Sequence, residues 1–266
     1  MENSLSIQSE KKDGVFAPMQ VILPSMGKLY SKDHPLFNAQ YIEVKEMTAR
    51  EEDILTSRIL LRKGIAIDKV LENCIVNKKI NQADLLVGDR NTILLALRIS
   101  GYGPDYNIQT TCPVCNAKQI HNFNLAAVKI NALDVMPVEE GINEFEVALP
   151  KSQAVIKFKL LSAGEEAEIS KAQENYRRAT GSEVENIVTS RMMRQILSVN
   201  GNSTRQYVIE FINTMHISDS RAFRDYVKKI EPDVVMKENM ICKECNEESE
   251  IDIPITAEFF WPTGNR

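Results

Sequence analysis

The chain has 266 residues, 43% of them apolar and 26% charged, with 32 Lys+Arg against 37 Asp+Glu and a formal net charge of −5. That is too apolar for a disordered chain, and its longest apolar run, Ile93-Leu94-Leu95-Ala96-Leu97, falls far short of the ~20 residues a membrane span needs. The acidic balance argues against a general nucleic-acid binder; five cysteines behind a start, Met1-Glu2-Asn3-Ser4, that lacks the marks of a secretory signal argue for reduced thiols or a metal over a disulfide framework.

Residues 1–14 are polar and read as a flexible N-terminal arm. Val15 to Leu23, stopped by Pro24, and Tyr41 to Met47 read as strands, with turn residues between them. Thr48-Ala49-Arg50-Glu51 fits a capping box, and Ile54, Leu55, Ile59 and Leu60 carry a helix from it to Gly64. Further helices are expected from Asp68 to about Ile75, and from near Asp89 to Gly101, where Pro104 forbids continuation. Tyr106 to Thr111 is extended and leads into Cys112-Pro113-Val114-Cys115-Asn116, after which residues 120–125 alternate as a half-buried strand.

The second half repeats this style. Glu144 to Leu149 and Ala154 to Leu161 read as a hairpin, and Ser162-Ala163-Gly164-Glu165 as a second capping box opening a charged helix that ends near Gly181. Helices over about Ser182 to Leu197, Thr204 to Met215 and Asp219 to Ile230 follow, with Ser218 and Ser220 as candidate caps. Cys242-Lys243-Glu244-Cys245-Asn246 then precedes an alternating strand, Ile251, Ile253, Ile255, and the chain closes on Phe259-Phe260-Trp261-Pro262.

The two halves align. Between Ile42–Glu52 and Ile156–Glu166 five of eleven positions are identical, a Leu-Pro pair precedes each segment (Leu23-Pro24, Leu149-Pro150), and a Cys-x-x-Cys-Asn follows each. Convergence of two capped helices explains one shared feature; the common order of all of them favours duplication. The expected architecture is α+β: internally duplicated units over 15–130 and 131–258, each a β-hairpin, a helical cluster and a cysteine knuckle, joined by a split zinc-ribbon-like site, with 259–266 as an aromatic C-terminal tail.

Cys112, Cys115, Cys242 and Cys245 are the candidate metal ligands. A Cys-x-x-Cys turn directs two sulfurs at one point, and two turns complete a tetrahedral Zn²⁺ site. The 126 residues between the pairs (116–241) are too many for a contiguous ribbon, but duplication explains the gap if each half supplies two ligands. A thioredoxin-like redox pair is the competing reading; it occurs once and before a helix, whereas these pairs occur twice, each before a strand. Four thiolates leave no open position, so the zinc is expected to be structural. Cys74 reads as a buried small hydrophobe.

No P-loop, H-E-x-x-H or G-x-S-x-G pattern is present, and His34, His121 and His216 fall in separate segments, so no catalytic residue is expected. His121 is either an outer partner of the first knuckle or a half-exposed strand residue. Phe259, Phe260 and Trp261 are either partner-binding anchors or a plug in the chain's own core.

Leu23-Pro24-Ser25-Met26-Gly27-Lys28-Leu29-Tyr30, the Ile42-to-Glu52 strand and capping box, the Asp89…Arg98-Ile99-Ser100-Gly101-Tyr102-Gly103 helix end and the Phe259-Phe260-Trp261-Pro262 close resemble the T4-like bacteriophage baseplate hub and hub-assembly proteins. The resemblance, spread over about residues 22 to 262, implies a non-enzymatic protein of a contractile phage tail. Its partners would be other baseplate or tail proteins (hub, wedge or tape-measure components), its oligomer would follow tail symmetry, and its place would be the virion, or the host cytoplasm during assembly. It leaves open a structural hub subunit and an assembly chaperone absent from the mature virion; a zinc-ribbon nucleic-acid adaptor lies outside it. No membrane or nucleic-acid partner is expected, and the zinc expectation rests on the cysteines alone.

Overall fold

The computed structural model describes residues 11–12, 15–181, 186–255 and 257–260. Lys11–Lys12 (β1) pairs antiparallel with Val15–Phe16 (β2); the rest of the expected N-terminal arm lies outside the described residues. Met19–Ile22 (β3) then runs antiparallel to Tyr41–Val44 (β4), Val21 opposite Ile42, and alternation turns one face inward. Thr48 caps helix Ala49–Thr56 (α1), and Glu51 reaches back to the Thr48 amide at 2.9 Å. The expected single helix is broken at Ser57, whose backbone is extended; it resumes as Arg58–Arg62 (α2) and ends at left-handed Gly64. Ala66–Cys74 (α3) follows, and Ile75 returns beside Val44 as a bridge on the hairpin's outer edge. A 3₁₀ turn leads into the buried helix Val87–Tyr102 (α4), which continues past Gly101 and stops at Gly103. Asp105–Thr111 (β5) and Lys118–Asn124 (β6) form the hairpin that carries the first knuckle, and Lys129–Asn131 (β7) ends this half.

The second half again runs from a hairpin through a capped helix and further helices to a cysteine hairpin, but it adds an edge strand, and its short cross-pairing strand precedes the cysteine hairpin instead of following it. Phe145–Ala148 (β8) pairs with Val155–Phe158 (β9), and Ser162 with Glu165 closes the second capping box on Ala163–Thr180 (α5), which ends at left-handed Gly181. Of the next expected helix, residues 182–185 lie outside the described residues, Ile187–Gln195 (α6) is helical, and Ile196–Val199 (β10) is a strand on the outer edge of β9. Pairing with β9, which local periodicity does not reveal, takes these residues out of the helix. Arg205–Thr214 (α7) and Ile217–Ile230 (α8) follow, the latter capped by His216, not Ser218 or Ser220. Asp233–Val235 (β11) pairs with β7 of the first half, Ile130 opposite Val234. Lys237–Ile241 (β12) and Glu248–Asp252 (β13) carry the second knuckle, and a 3₁₀ turn over 257–260 closes the described chain.

One buried core runs through both halves. It joins Met19, Ile42 and Val44 of the first hairpin to Leu94, Leu95 and Leu97 of α4, and these to Ile156, Phe158 and Phe223 of the second half. The 130/131 division falls inside β7, which pairs across it. No described helix is long and apolar enough to cross a membrane.

Candidate metal centre

Each knuckle is a tight turn held by its own backbone. In the first, the Cys112 amide donates to Ala117 O at 2.9 Å and the Asn116 amide to Cys112 O at 3.0 Å. In the second, the Cys242 amide donates to Glu247 O and the Asn246 amide to Cys242 O, both at 2.9 Å. The turns close through Asn116 (φ 59) and Asn246 (φ 56), in the left-handed region that asparagine tolerates better than most residues. The repeated Asn is therefore part of the turn's mechanism.

The hairpins lie side by side. The Gln119 side chain on β6 donates from Nε2 to Ile241 O (3.2 Å) and accepts at Oε1 from the Lys243 amide (2.9 Å), while Thr110 Oγ1 on β5 donates to Met240 Sδ (3.0 Å). All four sulfurs fall within 4.8 Å of one another, and two of the separations between knuckles are Cys112–Cys245 at 3.7 Å and Cys115–Cys242 at 3.6 Å. A disulfide needs ~2.05 Å. A tetrahedron with Zn–S near 2.3 Å has edges of about 3.8 Å, so the spacing suits four thiolates around one ion. Cys112 and Cys242 are buried, Cys115 and Cys245 exposed.

The electrostatics favour a cation. Amides of Cys245 and Glu244 point at the Cys242 sulfur and bring its thiol down to about 7. The Glu247 amide favours the Cys245 thiolate, but burial and the sulfurs of Cys115, Cys242 and Cys112 outweigh it and push that thiol up to about 12. One thiolate forms readily and the next is opposed by the first; a divalent ion at the centre removes the opposition. The surroundings of the second knuckle add negative charge: Glu244, Glu247, Glu248, Glu250 and Asp252 are exposed, and only Lys237 answers two of them, pairing with Glu250 and with Asp252 at 3.6 Å. A phosphate backbone meets repulsion there.

His121 is not part of the cluster. It lies 3.8 Å from Glu238 of the other hairpin and packs edge-on to Phe123, as a half-buried strand residue. Burial pushes the Cys74 thiol up to about 12, and it sits in the core away from the knuckles. His34 stacks on Tyr30, and His216 caps α8 with Lys151 Nζ 2.8 Å from its Nε2.

The aromatic close requires a correction. Phe259 and Phe260 have no exposed surface and belong to the chain's own core, so neither ring is presented to a partner. The residue that holds them there was not picked out from the sequence. Arg98 of α4, 1% exposed, donates from Nε to Phe259 O (2.8 Å), from one terminal nitrogen to Gly103 O (2.7 Å) and from the other to Asp105 O (3.1 Å), with Tyr102, Tyr106 and Phe259 rings around its guanidinium. Trp261 lies outside the described residues.

A second missed pair reinforces the likeness of the halves. Asp89, in the first turn of α4, accepts from the Ser25 amide (3.0 Å) just after Leu23-Pro24; Asp219, in the first turn of α8, accepts from the Lys151 amide (2.8 Å) just after Leu149-Pro150. Its signal was present as an aspartate one turn into each helix, but only pairing in space reveals its use.

A family model described as T4 bacteriophage base plate protein matches residues 20–261 of this chain. No curated protein and no solved structure matches it.

Proposed function

The chain belongs to the T4 bacteriophage base plate protein family, the family its sequence resembles, and from that premise we propose that it works in the hub region of a contractile-tail baseplate, by protein–protein contact and with a structural zinc. Family membership carries a structural role in the baseplate and a place in the virion tail. The finer reading adds hub, wedge or tape-measure neighbours, an oligomer that follows tail symmetry, assembly in the host cytoplasm, and no catalytic role.

The observation that carries the metal is the convergence of two knuckles, one from each half, at inter-knuckle sulfur separations of 3.6 and 3.7 Å. Cys112, Cys115, Cys242 and Cys245 would hold the ion, and four thiolates leave no position for water or substrate, so its contribution is cohesion between the halves. Reduced protein should carry about one Zn per chain by elemental analysis. Cys112→Ser with Cys242→Ser should abolish it and lower the unfolding free energy by on the order of 4 kcal/mol. Metal-free protein of unchanged stability would refute the staple.

Mass spectrometry of purified virions tests the structural role. Absence of the chain would replace a resident subunit with an assembly chaperone that leaves before maturation. A gel-shift assay at low salt tests the nucleic-acid adaptor, which the acidic second knuckle disfavours.

A further inference from the structure

Two sulfur contacts that cross between the knuckles divide the four cysteines into two pairs, Cys112 with Cys245 at 3.7 Å and Cys115 with Cys242 at 3.6 Å. The first cysteine of each knuckle is buried and the second exposed, so each pair joins one sheltered sulfur to one that solvent reaches. Protein contacts hold the pairs in apposition. Gln119 ties β6 to the backbone of Ile241 and Lys243, Thr110 bonds Met240, and Phe123 of β6 is anchored in the core. A disulfide has S–S at ~2.05 Å, so each pair at 3.6 or 3.7 Å has about 1.6 Å to close, shared between two side chains.

We propose that this cluster is also a peroxide-responsive modification site, in which oxidation expels the ion and replaces it with two disulfides across the knuckles, Cys112–Cys245 and Cys115–Cys242. The inference rests on the zinc reading above only for the ion that is released. Hydrogen peroxide reaches the exposed sulfur of Cys115 or Cys245 first. That thiolate attacks a peroxide oxygen, the O–O bond breaks, hydroxide leaves, and a sulfenic acid remains. The sheltered thiolate across the gap, Cys242 or Cys112, then attacks the sulfenic sulfur and displaces a second hydroxide. Each disulfide consumes two thiolates and one peroxide, two electrons pass from sulfur to oxygen, and two hydroxides form. After two such events no thiolate is left to hold a metal.

The bonds join residues 133 and 127 positions apart, so the halves stay clasped once the ion is gone, and closing long loops constrains the unfolded chain most. A bond inside either knuckle would close only its own turn and leave the halves unlinked there. A tail protein made among the reduced thiols of a host cytoplasm and then carried outside the cell meets this change in redox surroundings.

The test is hydrogen peroxide added to the reduced full-length protein, with and without prior metal chelation. Remaining thiols are then alkylated under denaturing conditions, and the chain is digested with trypsin without reduction for tandem mass spectrometry. Cleavage after Arg98, Lys118, Lys237 and Lys243 keeps Cys112 and Cys115 in one peptide, 99–118, and separates Cys242 in 238–243 from Cys245 in 244–266. Peptide 99–118 should be bridged to both of the others, Cys112 to Cys245 and Cys115 to Cys242, while Cys74, buried in the core, is recovered alkylated. Bridging of 238–243 to 244–266 alone, pairing of Cys112 with Cys242, or sulfinic acids without disulfides would overturn the assignment. Cys115→Ser with Cys242→Ser keeps the Cys112–Cys245 pair and should still form that one disulfide; a variant that folds and stays reduced would count against the pairing. The oxidised protein should unfold at higher urea than the chelated, reduced protein, and an equal or lower midpoint would deny the bonds their role as a clasp. Elemental analysis reads the zinc separately. Cross-knuckle disulfides in a chain that never held zinc would sink the zinc reading alone, and a zinc-loaded chain that forms none would sink this one alone.

Discussion

Asp89 and Asp219 do the same job with opposite electrostatics. Both are fully buried and both pin the loop after a Leu-Pro pair. Burial raises the Asp89 pKa, and the hydroxyls of Ser25 and Tyr30 with the Ser25 amide offset only part of it. Burial also lifts Asp219, but there the Lys151 and Ser152 amides prevail and the net shift is downward. The consequences for stability run in opposite directions. Asp89, with its folded value above the unfolded one, contributes fully below the usual carboxylate pKa of ~3.9 and loses that contribution as pH rises through the raised value. Asp219 contributes above ~3.9 and loses it as pH falls through the lowered value. Urea midpoints between about pH 3 and pH 8 should therefore show the deficit of Asp219→Asn growing with pH and that of Asp89→Asn shrinking. Parallel slopes for the two variants would contradict the assignment.

At the level of elements, α4 is the axis on which both halves assemble, and it is seated by a backbone contact. A Cβ on Gly88 would stand 1.9 Å from the Pro232 carbonyl oxygen and 2.7 Å from Asp233 Cα. Neither is the movable end of a side chain, so Gly88→Ala must push α4 away from β11 or break the β7–β11 pairing. A loss of about 3 kcal/mol is expected in denaturant unfolding, more than an exposed glycine such as Gly201 would show. What was legible at this scale was whatever local chemistry decides. The two capping boxes, the hairpins and the glycine stops were readable because each uses residues within a few positions of one another. Strands β7, β10 and β11 were not: each is three or four residues long and is a strand only because a distant partner receives it. The break at Ser57 likewise carries no residue that a helix forbids.

Taken whole, the molecule is two runs of hairpin, helices and cysteine knuckle around one core, and the candidate site was legible in proportion to its chemical specificity. Cysteine pairs announce convergence because few other arrangements use them twice. Phenylalanines announce nothing about where they point: Phe259 and Phe260 are core residues because Arg98 draws the chain end onto α4, a contact between residues 161 positions apart. The shared core also predicts how the zinc variant fails. Because β7 and β11 pair across the halves and the core joins both hairpins, Cys112→Ser with Cys242→Ser should shift a single unfolding transition, seen alike by circular dichroism and tyrosine fluorescence. Two separated transitions would mean that the halves are independent domains.

The placement of the knuckles has a consequence for biosynthesis. The first pair of knuckle cysteines is complete once residue 115 is made, but the second arrives only with Cys245. A product terminated anywhere between residues 116 and 241 carries only two of the four knuckle thiols, which hold a metal far more weakly than four. In the zinc-bound form proposed above, a filled site thereby certifies that translation has passed residue 245. Incomplete chains, lacking that closure, are left as the substrates that proteases recognise first.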